Sequence, residues 1–282
     1  MTALRPSERL TVATLVALSA AVAVFQPAGA APRLLLLAAL LAAVLLLTRV
    51  RGGASGLVRD FFPVLVVFGV FSVLQPVIEA SNPRRYDALF AAADQRWLGP
   101  LVDAWRGAFG RARAFTDGVY LVYASYYLYP VAICGAARRR GPASLERAIF
   151  PLLLAYYLSF VGYFLWPTSG PRVPAAQEAA LGGGAAADAV RAFLRSVEST
   201  SLDAFPSGHT AITLVAAVVG ARLHPRAAPL LAAWAAAIVF STVYIHVHYA
   251  VDVLGGLALA ALTLAAAAPL SRRLGGSPGP EA

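Results

Sequence analysis

Only four histidines occur in this 282-residue chain. Three of them, His209, His246 and His248, stand at the ends of long apolar stretches, where an ionisable group is costly and marks a functional site by default. His209 closes the tetrapeptide Pro206-Ser207-Gly208-His209, directly ahead of an apolar run. Pro and Ser suit the first positions of a helix, and Gly lets a ligand approach the backbone closely. Free N–H groups at that helix start, with the positive end of its dipole, make an anion site. Ser207 adds a hydroxyl donor, Gly208 an open backbone N–H, and His209 a titratable ring beside the anion. Taken alone, the tetrapeptide also fits a plain helix cap with a structural histidine.

A second constellation, His248-Tyr249-Ala250-Val251-Asp252, heads the last apolar run. His248 and Asp252 are i and i+4, neighbours on one helical face. A carboxylate there holds one ring nitrogen protonated and leaves the other free to attack an electrophile. By itself such a pair is also an ordinary hydrogen bond. His246 points elsewhere and reads as structural or supporting, and His224, beside Pro225 and Arg226, reads as loop. The third constellation is Trp166-Pro167-Thr168-Ser169-Gly170-Pro171-Arg172. Its Pro and Gly residues end a helix and fix a turn that presents Arg172, whose guanidinium suits phosphate oxygens as a bidentate fork. A boundary Arg paired with lipid headgroups is the alternative there.

The elements that must position these groups are membrane helices. The chain is 59% apolar and 13% charged, against about half and a quarter in soluble domains. That excludes a disordered chain, a nucleic-acid-binding domain and an ordinary cytosolic enzyme. The net charge of +9 comes from arginine alone, since no lysine is present, and the arginines cluster between apolar runs as in membrane-protein loops. Cys134 is the single cysteine, so there is neither a disulfide framework nor a cysteine metal site.

Stretches of about 20 apolar residues, enough to span a bilayer, begin near Leu10, Arg33, Phe61, Val119, Ala148, Gly208, Ala228 and Val253. The expected fold is therefore an all-α, polytopic membrane helix bundle with about eight transmembrane helices. The first stretch follows Arg5 and Arg9 and ends near an Ala-Gly-Ala-Ala segment, as a signal peptide would. Because the same pattern repeats down the chain, it reads as a span. With the N-terminus inside, 13 arginines fall in five short inner segments and 10 on the other side. Both termini are then expected in the cytoplasm of a plasma or inner membrane, with His209, His248 and the Arg172 turn on the extracytoplasmic face.

The chain reads as a single integral membrane domain: three N-terminal spans in 1–79, an interfacial helical loop in 80–118, a core in 119–270 and a cytoplasmic tail in 271–282. In the interfacial loop Tyr86, Leu89, Phe90, Ala93 and Trp97 recur at helical spacing, with Asp87, Asp94 and Arg96 elsewhere on the wheel. This is a helix lying at the membrane surface, either a strut or a substrate gate. Ala175 to Thr200, with its run of three glycines, reads as a flexible lid or cap.

At these residues the sequence resembles the type 2 phosphatidic acid phosphatase (PAP2) superfamily of phosphatases and phosphotransferases. Pro206 to His209 match its Pro-Ser-Gly-His block in full. Its block Ser-Arg-x5-His-x3-Asp aligns with Ser241-Thr242 through His248 to Asp252, with Thr242 where the family has Arg. The family's Lys-x6-Arg-Pro block is not recognisable in a chain without lysine. These departures, with the Gly-Pro-Arg turn and the His-Tyr-x-x-Asp motif, are similar to the branch of inositolphosphotransferases that includes inositol phosphorylceramide synthases. The match covers about 90 residues, Trp166 to Gly256.

The resemblance implies a PAP2-like catalytic core and an enzyme that needs no metal or other cofactor. Its substrate would be a phospholipid or polyprenyl phosphate in a bilayer of membrane lipids. Ser207, Gly208 and Arg172 would hold the phosphate. His248, oriented by Asp252, would attack phosphorus to form a phosphohistidine, and His209 would serve as acid and then base. With fewer cations than the family pattern, head-group transfer between lipids is favoured over hydrolysis of a doubly charged phosphomonoester. Arg84 and Arg85 keep a lipid phosphatase in play, and the change at Thr242 keeps a non-catalytic transporter or scaffold.

Overall fold

The computed structural model describes residues 3–49, 53–109, 112–171, 181–197 and 200–276. Among these residues the chain is helical, with no strand. Three N-terminal helices, α1 (Pro6–Phe25), α2 (Ala30–Leu47) and α3 (Gly53–Ser81), are followed by two shorter ones, α4 (Asp87–Trp97) and α5 (Gly99–Phe109). Then come α6 (Arg113–Ala124), α7 (Tyr129–Arg138), α8 (Pro142–Leu165) and α9 (Ala185–Val197). The last three are α10 (Gly208–Leu223), α11 (Ala228–Tyr244) and α12 (Ala250–Arg273).

Six of these helices are long and apolar enough to cross a membrane: α1, α2, α3, α8, α11 and α12. All eight apolar stretches of the sequence are helical, but two do not form a full straight span. The fourth is broken into α6 and α7, which meet at 44°. Pro130 has no N–H to give the carbonyl of Tyr126, so the chain passes through a 3-10 turn at Ser125–Tyr127 before restarting. Counted as one bent span, this pair raises the number to seven. The sixth stretch, α10, has 16 residues, about 24 Å of helix against a core of about 30 Å. It starts below the bundle surface, with Ser207 and Gly208 buried.

The bundle is organised around α8, which packs against α1, α3, α7, α10 and α12. It buries 72% of its apolar window, whereas α2 buries 11% of its own. A helix surrounded by protein and a helix surrounded by lipid are equally apolar, so composition does not separate them. Prolines stand inside α3, α8 and α12, as membrane helices tolerate.

Polar chemistry is segregated to the two ends. At one end Glu8 of α1 holds Arg59 of α3 through two bonds of 2.7 and 2.9 Å. Beside them, Asp60 bridges Arg5 and Arg138, and Glu146 accepts from the Ser7 backbone and hydroxyl. Arg140 reaches His224 at this same end. The other end carries the starts of α10 and α12, the end of α8, and α4.

Candidate active site

The start of α10 is set by Ser207, whose side-chain oxygen accepts the Thr210 N–H at 3.2 Å. The Ser207 N–H in turn donates to the Asp252 carbonyl at 3.0 Å, stitching α10 to α12. A Cβ at Gly208 would meet the Tyr163 hydroxyl at 2.6 Å. Gly208 is thus required by a neighbour from α8; the close approach expected from a ligand is made by a phenol.

His248 is presented by the way α11 ends. The N–H of Val247 donates to the Thr242 carbonyl and that of His246 to the Val243 carbonyl, the paired bonds of a Schellman turn. His246 takes the left-handed position of that turn, at φ 63°, where glycine is usual. Its task is to reverse the chain. The Thr242 carbonyl also accepts the His248 N–H at 3.1 Å. The residue standing in place of the family's Arg therefore serves through its backbone, while its hydroxyl donates to Val239 inside the helix.

Three of the residues picked out by spacing meet here. His209 Nδ1 lies 3.1 Å from His248 Nε2, and His248 Nδ1 lies 3.4 Å from Asp252 Oδ2. The same Asp252 oxygen accepts the Tyr249 N–H at 2.9 Å, so one carboxylate both caps α12 and faces the ring. His248 is 3% exposed. Burial lowers its ring to about 4, with the Ala204 carbonyl pulling the other way, so it is neutral at pH 7 with a lone pair to use.

Sequence spacing did not pick out Tyr123, whose hydroxyl lies 3.0 Å from His209 Nε2. Tyr123 and Tyr126 also flank the His209 ring, with centroids 5.1 and 4.3 Å away. In sequence they are two of a crowd of tyrosines in an apolar segment. The one available signal is their i, i+3 spacing, which any packed helix face shares.

Arg172 lies outside the described residues. Its turn is described as far as Pro171 and packs on the His248 loop: Gly170 has φ +75°, and a Cβ there would meet the Val247 carbonyl at 2.6 Å. Arg84 and Arg85 are exposed in the segment before α4, where the next residue, Tyr86, donates its N–H to Pro167 of that turn. The stretch read as a flexible lid contains α9, which is pinned. Asp117 accepts the N–H groups of Gly184 and Ala187, and Arg191 stacks over the Tyr120 ring at 4.6 Å while donating to its hydroxyl.

The apolar stripe of the interfacial helix is divided, with Phe90 and Ala93 half-buried against the protein and Leu89 and Trp97 outside. Leu89 and Trp97 are 63% and 68% exposed, while Asp87, Phe90 and Asp94 point inward. Asp87 accepts the Ser169 N–H at 2.7 Å and Asp94 the Val251 N–H at 3.1 Å. Between them Phe90 stacks on Phe205, centroids 4.4 Å apart, just ahead of Pro206. With lipid outside, apolar side chains gain nothing by turning inward, whereas free N–H groups at the Arg172 turn and at the start of α12 need acceptors. α4 thus braces all three segments that form the site.

No curated protein and no solved structure matches this chain. A family model described as PAP2 superfamily matches residues 89–266, a stretch that begins within α4 and holds both histidines and Asp252. That match covers most of the chain and both histidines in contact, and the protein is an integral membrane member of the PAP2 superfamily.

Proposed function

We propose that the protein is a lipid phosphotransferase of the inositolphosphotransferase-like kind, working through a phosphohistidine on His248. The observation that carries this reading is the direct contact of a half-buried imidazole with a buried one that has a carboxylate behind it. One proton arrangement satisfies all three contacts. Tyr123 donates to His209 Nε2, His209 Nδ1–H donates to His248 Nε2, and His248 Nδ1–H faces Asp252. The His248 Nε2 lone pair then accepts from His209 and is freed for attack when His209 moves aside.

In the first step that lone pair attacks phosphorus and the bond from phosphorus to the leaving oxygen breaks. His209, which takes up a second proton from water as it swings aside on substrate entry, gives that proton to the leaving oxygen and returns to the neutral ring. In the second step His209 takes the proton of an incoming hydroxyl, whose oxygen attacks phosphorus as the N–P bond breaks and its electrons return to Nε2. A phosphorus ready for attack lies about 3–3.5 Å from the nucleophile. The 3.1 Å contact between the rings occupies that position, so substrate entry must swing His209 aside. Ser207, the Gly208 N–H and Arg172 are the proposed phosphate holders. No lysine is present and the Thr242 side chain is turned into its own helix, which favours a singly charged phosphodiester. The arginine-rich end is assigned to the cytoplasm with both termini, and the histidine pair to the outer face.

The test is purified protein in detergent with phosphate-labelled phospholipids, phosphatidylinositol among them, with and without ceramide, inositol or polyprenol. Label is expected to move into a new lipid only when acceptor is added. Free phosphate without acceptor would replace this reading with a lipid phosphatase, which the exposed Arg84 and Arg85 beside Pro167 favour. No turnover of either kind would overturn both.

The brace made by α4 has its own expected result. Asp94→Leu lowers kcat about 10–100-fold with KM little changed, because a displacement of about 1 Å is enough for that loss. Asp94→Asn keeps an oxygen for the Val251 N–H and restores most of the rate. An Asn variant as impaired as the Leu variant would show that the acceptor bond is not what positions Asp252.

A further inference from the structure

A cavity of about 170 Å³ lies beside His209, inside the bundle. Its polar end is formed by His209, Gly208 and Asp203, and its walls run down past Val131 to Cys134 and Ile149. Pro130, Val131 and Cys134 line it from one side of α7, so along that helix alone the cavity runs about 6 Å. Of the phenols in its wall, Tyr126 donates to Tyr156 at 3.3 Å, and the deep part offers carbon, the Cys134 thiol and that already engaged Tyr156 hydroxyl. Of the residues lining it, Phe68 on α3 and Val131 on α7 are 55% and 39% exposed on the outside of the bundle. Large apolar side chains at the rim of an opening between two membrane helices face hydrocarbon. One wall, with Val64 and Phe68, belongs to α3, which lies wholly before the matched residues 89–266.

We propose that this cavity takes one hydrocarbon tail of the lipid whose phosphate reacts at His248, entering sideways from the membrane between α3 and α7. It follows that α3 determines which tails fit. The proposal rests on the phosphotransfer reading for the identity of the headgroup, while the tail site stands on the cavity's position and lining. A soluble metabolite is a poor occupant because the deep end offers only a thiol and an engaged phenol in place of its hydrogen bonds to water. A tail with its phosphate at the mouth matches both ends at once.

The experiment has two arms. In the first, turnover of phosphatidylinositol with dioleoyl or dihexanoyl tails is compared in wild type, Val131→Trp and Val64→Trp. Filling the opening is expected to lower the ratio of long-tail to short-tail kcat/KM about tenfold, the effect of expelling about two buried methylenes. An unchanged ratio in both variants overturns the proposal. In the second arm, Cys134, the chain's single cysteine, reports occupancy without chemistry. On the His248→Ala protein, dioleoyl phosphatidylinositol at about four times its Kd is expected to slow modification of Cys134 by a small apolar thiol reagent about fivefold. Val131→Trp removes that protection. Wild-type turnover without protection of Cys134 overturns the tail site alone; protection in a protein that turns nothing over keeps the tail site and overturns the phosphotransfer reading.

Discussion

His248→Ala is expected to lower kcat by about 10⁴-fold or more, leaving only what binding and the remaining donors supply. Among the described residues the other ring at this site is already engaged: His209 contacts the same nitrogen through Nδ1, and its Nε2 is held by the Tyr123 hydroxyl rather than by a carboxylate. The variant should insert and fold, because the bonds that shape the loop run through the Thr242 carbonyl and the backbone of residues 246–248, which alanine keeps. With phosphate-labelled substrate and an alkaline quench, label is expected on wild-type protein and absent from His248→Ala. His209→Ala should be nearly as slow, and the double variant no slower than the worse single one, since groups acting as one unit are not additive. Full activity in His248→Ala would end the phosphohistidine mechanism.

What the sequence made visible was local. His248 and Asp252 are four residues apart, and the Pro-Ser-Gly-His block starts a helix, so each pattern carries its own geometry. That His209 and His248 lie within 3.1 Å of one another is tertiary: it needs α10 and α12 side by side, joined by the Ser207 N–H to Asp252 carbonyl bond. The apolar runs located the helices but not their completeness. The break at Pro130 and the recessed start of α10 both interrupt stretches that read as continuous. The wheel of α4 marked a helix at the membrane surface, where Leu89 and Trp97 face outward without penalty; that Asp87 and Asp94 turn inward to accept N–H groups is tertiary. Tyr123 was hidden because a phenol that touches a histidine and one that merely fills a core look alike in sequence.

At the opposite end, removing the carboxylate of Glu8 is expected to be the most destabilising single change in the bundle. Glu8 and Arg59 are 3% and 6% exposed, and the guanidinium presents Nε and Nη2 to the two carboxylate oxygens. The other Glu8 bond, from the Arg5 N–H at 2.8 Å, caps α1, so one side chain starts the first helix and neutralises a charge inside the third. Breaking a buried pair from one side costs about 3–5 kcal/mol because the remaining charge keeps its desolvation penalty. In a chain of this size Glu8→Ala should lower Tm in detergent by about 6–20 °C. Removing both charges, as in Glu8→Leu with Arg59→Met, should recover most of the loss, since no buried charge is left unpaired. The consequence reaches the other end of the bundle because Arg59 stands on α3, five residues before Val64 of the cavity wall. Glu8→Ala should therefore also weaken the preference for long tails at temperatures below its own Tm. A Tm within about 2 °C of wild type would mean that water reaches Arg59, well below the effect expected of a buried pair.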